Sequence, residues 1–206
     1  KESLEIKLPD DFCLLVNGNK NDPDWRAVTK YALSRGFNKS TLWAFRVGYS
    51  RTFEWRRRLI ITSFDAEGNL NFMTGRSIDK NNSFRYKNES APRNTIVFNE
   101  MDLDFTKPLL IAEGPMDLVK VNMQNKTCLL GSSLNEDSLL FKRIVENNTT
   151  VILVLDDDAK QKALKIADKL SEYSIKTFVN FPKPGIDLND MSKEDIEHLI
   201  KTSQQY

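Results

Sequence analysis

Short apolar runs alternate with amphipathic segments along the second half of the chain. The apolar runs predict strands at residues 109–112, 127–130, 151–155 and 177–180, and the segments after them predict helices at 116–123, 136–146, 159–173 and 193–202. Buried strands that alternate with helices are typical of a mostly parallel sheet flanked by helices, so this half predicts an α/β fold. The lysines of the third helix are expected to face mostly water: Lys160, Lys162, Lys165 and Lys169.

The first half predicts two helices and a hairpin. A short strand at 12–16 precedes helices at 23–35 and 38–45, and the hairpin has strands at 56–64 and 69–78 around a turn at 65–68. The polar residues 79–94 contain no glycine and predict a surface loop. Three aromatic side chains are expected in the core: Trp25, Trp43 and Phe45.

Length and composition are those of an ordinary globular chain. Its 206 residues are 40% hydrophobic and 29% charged. We expect an arm or linker remnant at 1–22, a basic α+β subdomain at 23–107 and an α/β subdomain at 108–206. No apolar run approaches the ~20 residues of a membrane span, and Cys13 and Cys128 are too isolated for a four-ligand zinc site. These features predict a cytoplasmic protein without a membrane partner.

Positive charge is concentrated in the first half. Residues 26–93 contain 14 Lys or Arg against 5 Asp or Glu, a local charge of +9, whereas residues 109–206 contain 12 against 15, a local charge of −3. This distribution indicates that the basic half binds a polyanion, which meets a metal site in the acidic half. The alternative is that the basic residues are ordinary solvated surface charge. The candidate contacts for a phosphate backbone or a stacked base are Arg56, Arg58, Arg76, Arg85, Tyr86 and Lys87.

Acidic residues follow two of the predicted buried strands. Glu113 comes directly after the first, and Asp156 follows the strand at 151–155. Ligands of open α/β sheets bind at the carboxyl ends of strands. Asp158 should point to the same side as Asp156, which directs Asp157 away. The acids expected at this edge are Glu113, Asp117, Asp156, Asp158 and Asp187.

A cluster of carboxylates at one sheet edge predicts a bound cation that neutralises their charge. Carboxylates a few ångströms apart repel and raise one another's pKa. Oxygen ligands without a nearby His or Cys favour Mg²⁺ or Mn²⁺ over zinc. The alternative is that each acid lies at a helix N-terminus, where Asp is favoured, and this explains one acid better than the set.

The acidic motifs resemble the Toprim fold shared by DnaG-type primases, topoisomerases and some nucleases. The resemblance rests on the run Glu113-Gly114-Pro115-Met116-Asp117, on Gly131 and on the Asp156/Asp158 pair. It implies a Toprim subdomain at 108–206 and leaves the activity open between these classes.

Upstream motifs narrow the resemblance to the RNA polymerase domain of bacterial and bacteriophage DNA primases. Residues 31–49 resemble the helical segment before their catalytic core, and residues 58–64 with Gly75-Arg76 resemble their basic strand pair. Arg85-Tyr86-Lys87-Asn88 resembles their Lys-Tyr-x-Asn element. The order and spacing of these motifs agree with those of the family over roughly residues 25–200. The residues within the motifs are most similar to those of bacteriophage primases.

The resemblance implies a role for each candidate residue. Glu113 would be the catalytic carboxylate. The metal would be held by Asp156, Asp158, Asp187, Asp117 and Asn189, and the nucleic acid or nucleotide by Arg56, Arg58, Arg76, Arg85, Tyr86, Lys87 and Asn88. Two departures stand out: Asn99 and Glu100 occupy the loop where the family places a Lys, and Asn189 replaces the Asp of many relatives.

The implied activity is RNA primer synthesis from ribonucleoside triphosphates on single-stranded DNA, with Mg²⁺ or Mn²⁺ as cofactor. A replicative helicase would be reached through regions outside this chain. Two other classes stay open. One is a metal-dependent Toprim nuclease or topoisomerase-like enzyme, and the other is a DNA-binding mediator without catalysis. The complete set of acidic residues counts against a DNA-binding mediator without catalysis. The basic hairpin before the acidic half counts against a nuclease module alone.

Overall fold

A computed structural model describes residues 6–131 and 133–206. The chain forms two compact units that divide between Ala91 and Pro92, whereas the sequence predicts the boundary after residue 107. Residues 92–107 therefore belong with the second unit. Of the predicted arm, residues 1–5 lie outside the described part, and residues 6–22 belong to the first unit and contribute a strand to its sheet.

The first unit is built on a five-stranded antiparallel sheet. Its strands are β1 Cys13–Leu14, β2 Gly48–Tyr49, β3 Arg58–Phe64, β4 Leu70–Ser77 and β5 Tyr86–Ser90, in the spatial order β1-β2-β3-β4-β5. The predicted hairpin is β3 and β4, with Arg58 opposite Ser77 at its open end. In its turn, Oδ1 of Asp65 accepts hydrogen bonds from the backbone N–H groups of Glu67 and Asn69, and Gly68 supplies the positive φ.

Two helices lie between β1 and β2. Helix α1 is Pro23–Ser34 and α2 is Lys39–Ala44. The predicted cap of α2 is confirmed, because Oδ1 of Asn38 accepts a hydrogen bond from the backbone N–H of Thr41 at 2.9 Å. Phe45 is buried as predicted, but Trp43 is 48% exposed. The prediction for Trp43 is wrong, because this short helix buries only Leu42 and Trp43 points about 100° away from it.

Strand β5 lies where the sequence predicts a loop. None of its five side chains is buried, so no apolar alternation marks it. Its backbone pairs with β4, where Arg76 stands opposite Tyr86 and Phe72 opposite Ser90. Main-chain hydrogen bonding at a sheet edge thus forms a strand that hydrophobic periodicity cannot detect.

The second unit is an α/β layer structure. Its sheet has the order β10-β9-β8-β6-β7, in which β6 to β9 are parallel and β10 is antiparallel. The strands are β6 Leu109–Ala112, β7 Lys126–Cys128, β8 Val151–Val154, β9 Thr177–Asn180 and β10 Gln204–Gln205, and the helices are α3 Leu139–Glu146, α4 Lys160–Glu172 and α5 Lys193–Lys201. The predicted α/β fold with a mostly parallel sheet is confirmed.

One core cluster joins the sheet to α3 and α4. Alternate strand residues such as Leu109, Ile111 and Leu153 pack with Ile144 of α3 and Ile166 of α4. Every residue of β6 is buried, as expected of a central parallel strand covered on both faces. Within the described part of the chain, no helix has the length and apolar character needed to span a membrane.

The helix predicted at 116–123 is wrong. Only a short 3-10 helix forms, Pro115–Leu118. The carbonyl groups of Leu118 and Val121 accept hydrogen bonds from Nζ of Lys126 at 2.9 and 2.6 Å. Because a lysine from the next strand takes these acceptors, the segment is satisfied without continuing as an α-helix.

The close approach of β1 and β2 generates a stability prediction. A Cβ added at Gly48 would lie 2.3 Å from the Phe12 ring and 2.7 Å from the Cys13 carbonyl oxygen. We expect Gly48→Ala to lower the free energy of unfolding by about 1–3 kcal/mol through overpacking. Trp fluorescence in urea would measure this, since the three tryptophans all lie in the first unit. Ser83→Ala, on an exposed loop residue, is the control, and equal midpoints for both variants would contradict the prediction.

Candidate functional site

Two acidic strand ends meet at the carboxyl edge of the second sheet. Strands β6 and β8 are parallel neighbours, with Ile111 opposite Leu153. Glu113 therefore follows β6 and Asp156 follows β8 at the same edge.

Glu113 is held by a lysine that the sequence predicts to face water. Nζ of Lys162, in the first turn of α4, donates a hydrogen bond to Oε1 of Glu113 at 2.7 Å. The other carboxylate oxygen, Oε2, is buried and accepts no hydrogen bond from any described residue. The prediction for Lys162 is wrong because α4 starts at the same sheet edge, so its first turn faces the acids.

Asp117 lies in the 3-10 helix that follows Glu113. Its pKa is raised to about 7, first by burial and then by the negative charges of Asp156 and Glu113. The backbone N–H of Gly114 donates to Oδ2 of Asp117 at 2.8 Å, which acts in the opposite direction. Near neutral pH this carboxyl group is therefore poised between its two protonation states.

Asp156 connects the end of β8 to a later loop. Burial raises its pKa, as do the charges of Asp187 and Asp158. The backbone N–H of Leu188 donates to Oδ1 of Asp156 at 2.9 Å, which holds residues 187–190 at the sheet edge. Asp158 and Asp187 are exposed, yet their charges act on Asp156. The structure thus brings the five predicted acids into one electrostatic cluster.

Asn189 lies in the 3-10 helix Leu188–Asp190. Its Oδ1 is buried and has no hydrogen-bond partner among the described residues. Nζ of Lys120 donates to the carbonyl oxygens of Asn189 and Met191, both at 2.9 Å, and so anchors this loop. Sequence reasoning missed Lys120, because a single lysine between two valines carries no signal of its contacts.

The donor atoms at this edge are of the type that a hard cation prefers. The unpartnered oxygens of Glu113 and Asn189 and the raised pKa values of Asp117 and Asp156 all describe negative or acceptor groups that lack compensation. Asp157 forms an ion pair with Lys160. In residues 6–131 and 133–206, no three His, Cys, Asp or Glu side chains converge closely enough to form a complete ligand set.

Two predicted phosphate contacts in the first unit are buried instead. Arg58 is 8% exposed, and its guanidinium donates to the carbonyl oxygens of Gly75 and Phe84, both at 3.0 Å. Arg76 is 6% exposed, and its Nη1 donates to the Tyr86 hydroxyl at 2.7 Å. These contacts give both arginines a structural role and make them poor candidates for direct phosphate binding.

The other basic candidates remain accessible. Arg56 and Arg85 are exposed, and Lys87 forms an ion pair with Glu54 at 3.1 Å. Tyr86 is 47% exposed. Asn88 accepts a hydrogen bond at Oδ1 from the Thr74 hydroxyl at 2.6 Å, so its amide group helps to fix β5 against β4.

Sequence reasoning missed two exposed aromatic residues of the first unit. Phe53 and Phe84 are 80% and 77% exposed, and the guanidinium of Arg56 lies 4.8 Å from the centroid of the Phe53 ring. Large apolar rings in a polar surface are suited to stacking with bases. Only their placement in otherwise polar segments could have indicated them.

The fold matches solved primase structures. The chain aligns with the Aquifex aeolicus primase (zinc-binding and RNA polymerase domains) at a TM-score of 0.69 and 19% identity, covering 86% of this chain and 56% of that one. The E. coli primase catalytic core aligns at a TM-score of 0.69 and 18% identity, covering 89% of this chain and 75% of that one. A DnaG primase catalytic domain bound to single-stranded DNA aligns at a TM-score of 0.72 and 16% identity, covering 90% of this chain and 74% of that one.

At these identities the likeness establishes the fold. The chain spans little more than half of the Aquifex structure and about three quarters of the other two. No protein-family model matches the sequence, and no curated protein matches it either.

The pKa of Asp117 generates a pH-dependent prediction. With a folded pKa of about 7 against an ordinary value of 3.8, the folded state retains a proton that the unfolded chain releases, so stability falls as the pH rises from about 4 to 7. Asp117→Asn should remove this loss. In EDTA we expect the variant to be more stable than the wild type by roughly 1–4 kcal/mol above pH 7, with the difference shrinking towards pH 4.

Urea unfolding followed by circular dichroism across this pH range would measure the difference. Asp137→Asn, at an exposed position of the same unit, should leave the shape of the pH profile unchanged. A gain in the Asp117 variant that is constant from pH 4 to pH 8 would show that its charge is not the cause.

Proposed function

We propose that the chain synthesises RNA primers by nucleotidyl transfer from ribonucleoside triphosphates on a single-stranded DNA template. The observation that carries this proposal is the cluster of Glu113, Asp117 and Asp156 at the carboxyl edge of a sheet with the fold of primase catalytic cores. Since one fold hosts many activities, the residues of the site must support the chemistry.

The cofactor of the proposal is Mg²⁺ or Mn²⁺, held by acidic residues and one amide. A cation there would stabilise the departing pyrophosphate and lower the pKa of the attacking 3′-hydroxyl. The proposed ligands are Asp117, Asp156, Asp158, Asp187 and Asn189. Glu113 has one oxygen fixed by Lys162 and one free, so its Oε2 can orient the reacting hydroxyl group or accept its proton.

The first unit would bind the template. Arg56 and Arg85 supply exposed positive charge for the phosphate backbone, and Lys87, which is half-buried and paired with Glu54, can exchange that carboxylate for a phosphate. Tyr86, together with Phe53 and Phe84, supplies rings on which bases can stack. A primase catalytic domain of the same fold has been solved bound to single-stranded DNA, which supports a DNA template as the partner.

A metal-dependent nuclease is the second candidate function, because the same acids can activate water for phosphodiester cleavage. A non-catalytic mediator is less well supported, since it gives no reason for the buried, unpartnered oxygens of Glu113 and Asn189. The Toprim assignment, a bacteriophage origin, a helicase partner and a cytoplasmic location stay predictions.

Glu113→Gln tests the chemistry. The change keeps the size of the side chain and its acceptor for Lys162 but removes the charge. We expect primer synthesis to fall about 100-fold or more, while single-stranded DNA binding stays within twofold. The assay supplies ribonucleotides, single-stranded DNA and Mg²⁺ or Mn²⁺, and scores both extension and cleavage products. Glu146→Gln, at an exposed position of α3, is the matched control.

The assay separates the two candidate functions. Nicking of DNA by the wild type without any ribonucleotide product, abolished by Glu113→Gln, would establish a nuclease and refute primer synthesis. Primer synthesis that survives Glu113→Gln would remove Glu113 from the catalytic role.

Salt dependence of DNA binding tests the first unit. Because each phosphate contact on a single strand contributes roughly 0.7 to the slope of log affinity against log salt, Arg85→Ala and Lys87→Ala should each flatten the slope by about that amount. Tyr86→Ala should weaken binding by about 1–3 kcal/mol with the slope unchanged. Lys39→Ala, at an exposed position of α2, is the control, and unchanged slopes in both charge variants would place the nucleic acid elsewhere.

A further inference from the structure

A cavity lined by lysines lies in the second unit between α4 and the segment that precedes α3. Its volume is about 400 Å³, and its lining includes Ser133, Asn135, Lys162, Lys165 and Lys169. This volume falls within the range of about 300–1,000 Å³ that is usual for small-molecule sites.

The helical repeat explains why the lysines share one wall. Lys162, Lys165 and Lys169 are spaced three and four residues apart, so they project from the same face of α4. Ile166, which is buried in the core, also lines the cavity and forms its apolar floor. Because lysine side chains have aliphatic stems, the lining combines apolar surface with ammonium charge.

The three lysines differ in how far their charges are compensated. Lys169 lies 2.8 Å from Glu172 and 3.5 Å from Glu136, so its charge is compensated. Lys165 is exposed and forms no ion pair within the described ranges. Ser133 and Asn135, from the segment before α3, add polar groups to the lining beside the lysines.

Lys162 links the cavity to the acidic cluster. It lines the cavity and donates to Oε1 of Glu113 at 2.7 Å. An ammonium group has three N–H donors, so Lys162 can hold Glu113 and still donate to a ligand in the cavity. An anion that accepts from Lys162 would therefore share this ammonium group with the carboxylate that we assign to catalysis.

We propose that this cavity binds a polyphosphate chain, either that of a nucleoside triphosphate or free pyrophosphate. Concave geometry, two lysines with available donors and polar groups from a second segment together match a flexible, multiply charged anion. The assignment to the incoming nucleotide or the released pyrophosphate rests on the proposed function, whereas polyphosphate binding itself does not.

Titration of the full chain with sodium tripolyphosphate by isothermal calorimetry tests the site. EDTA in the buffer excludes binding through a metal at the acidic edge. We expect Lys165→Ala to weaken binding about tenfold, the loss typical of one charge-assisted hydrogen bond, and Lys165→Arg to retain most of the affinity. Lys142→Ala, at an exposed lysine of α3, should bind as the wild type does.

A second arm distinguishes the sources of the polyphosphate. Adenosine triphosphate that binds more tightly than tripolyphosphate, with the same loss in Lys165→Ala, would identify a nucleotide site, and equal affinities would identify a site for the phosphate chain alone. Equal affinity of Lys165→Ala and Lys142→Ala for tripolyphosphate would overturn the proposal. That result would leave primer synthesis untouched, and a wild type that binds tripolyphosphate but makes no primer would refute only the proposed function.

Discussion

Repulsion among carboxylates at the carboxyl edge of the second sheet is the constraint on which this structure depends. The buried strands β6 and β8 deliver Glu113 and Asp156 to one place, and burial there raises the cost of ionisation. The fold limits this cost with single, specific contacts: an ammonium group from Lys162, and backbone N–H groups from Gly114 and Leu188. What remains uncompensated is negative charge and unpartnered acceptor oxygens, and these are the basis of the cation site that we propose.

Hydrophobic patterning predicted the elements whose stability comes from burial. Strand β6 was predicted with its observed limits, and β8 within one residue, because apolar runs of this kind have few alternatives in a folded chain. The failures have a common cause in main-chain and polar interactions. Strand β5 depends on pairing with β4, and the segment after Glu113 depends on a lysine from β7. Neither partner can be identified from local sequence.

The proximity of Glu113 and Asp156 could be predicted because topology alone brings the ends of parallel strands together. The basic residues could not be sorted in the same way. Arg58 and Arg85 look equivalent in the sequence, yet one is buried against carbonyl groups and the other is exposed. Lys162 shows the converse, since a position that looks like solvated helix surface contacts the central acid. The contacts of long flexible side chains depend on the tertiary structure, whereas the sequence shows only their charge.

The hydrogen bond between Leu188 and Asp156 makes one backbone amide a natural reporter of the site. Because Oδ1 of Asp156 accepts this bond, any cation drawn to the carboxylate withdraws electron density from the acceptor, and by reciprocity the position of the 187–190 loop alters the affinity for that cation. The nuclear magnetic resonance signal of the Leu188 N–H group would therefore respond both to occupancy of the proposed cation site and to ordering of the 187–190 loop. For the cation that we propose, loop position and ion affinity would be thermodynamically linked, so a change in one would change the other.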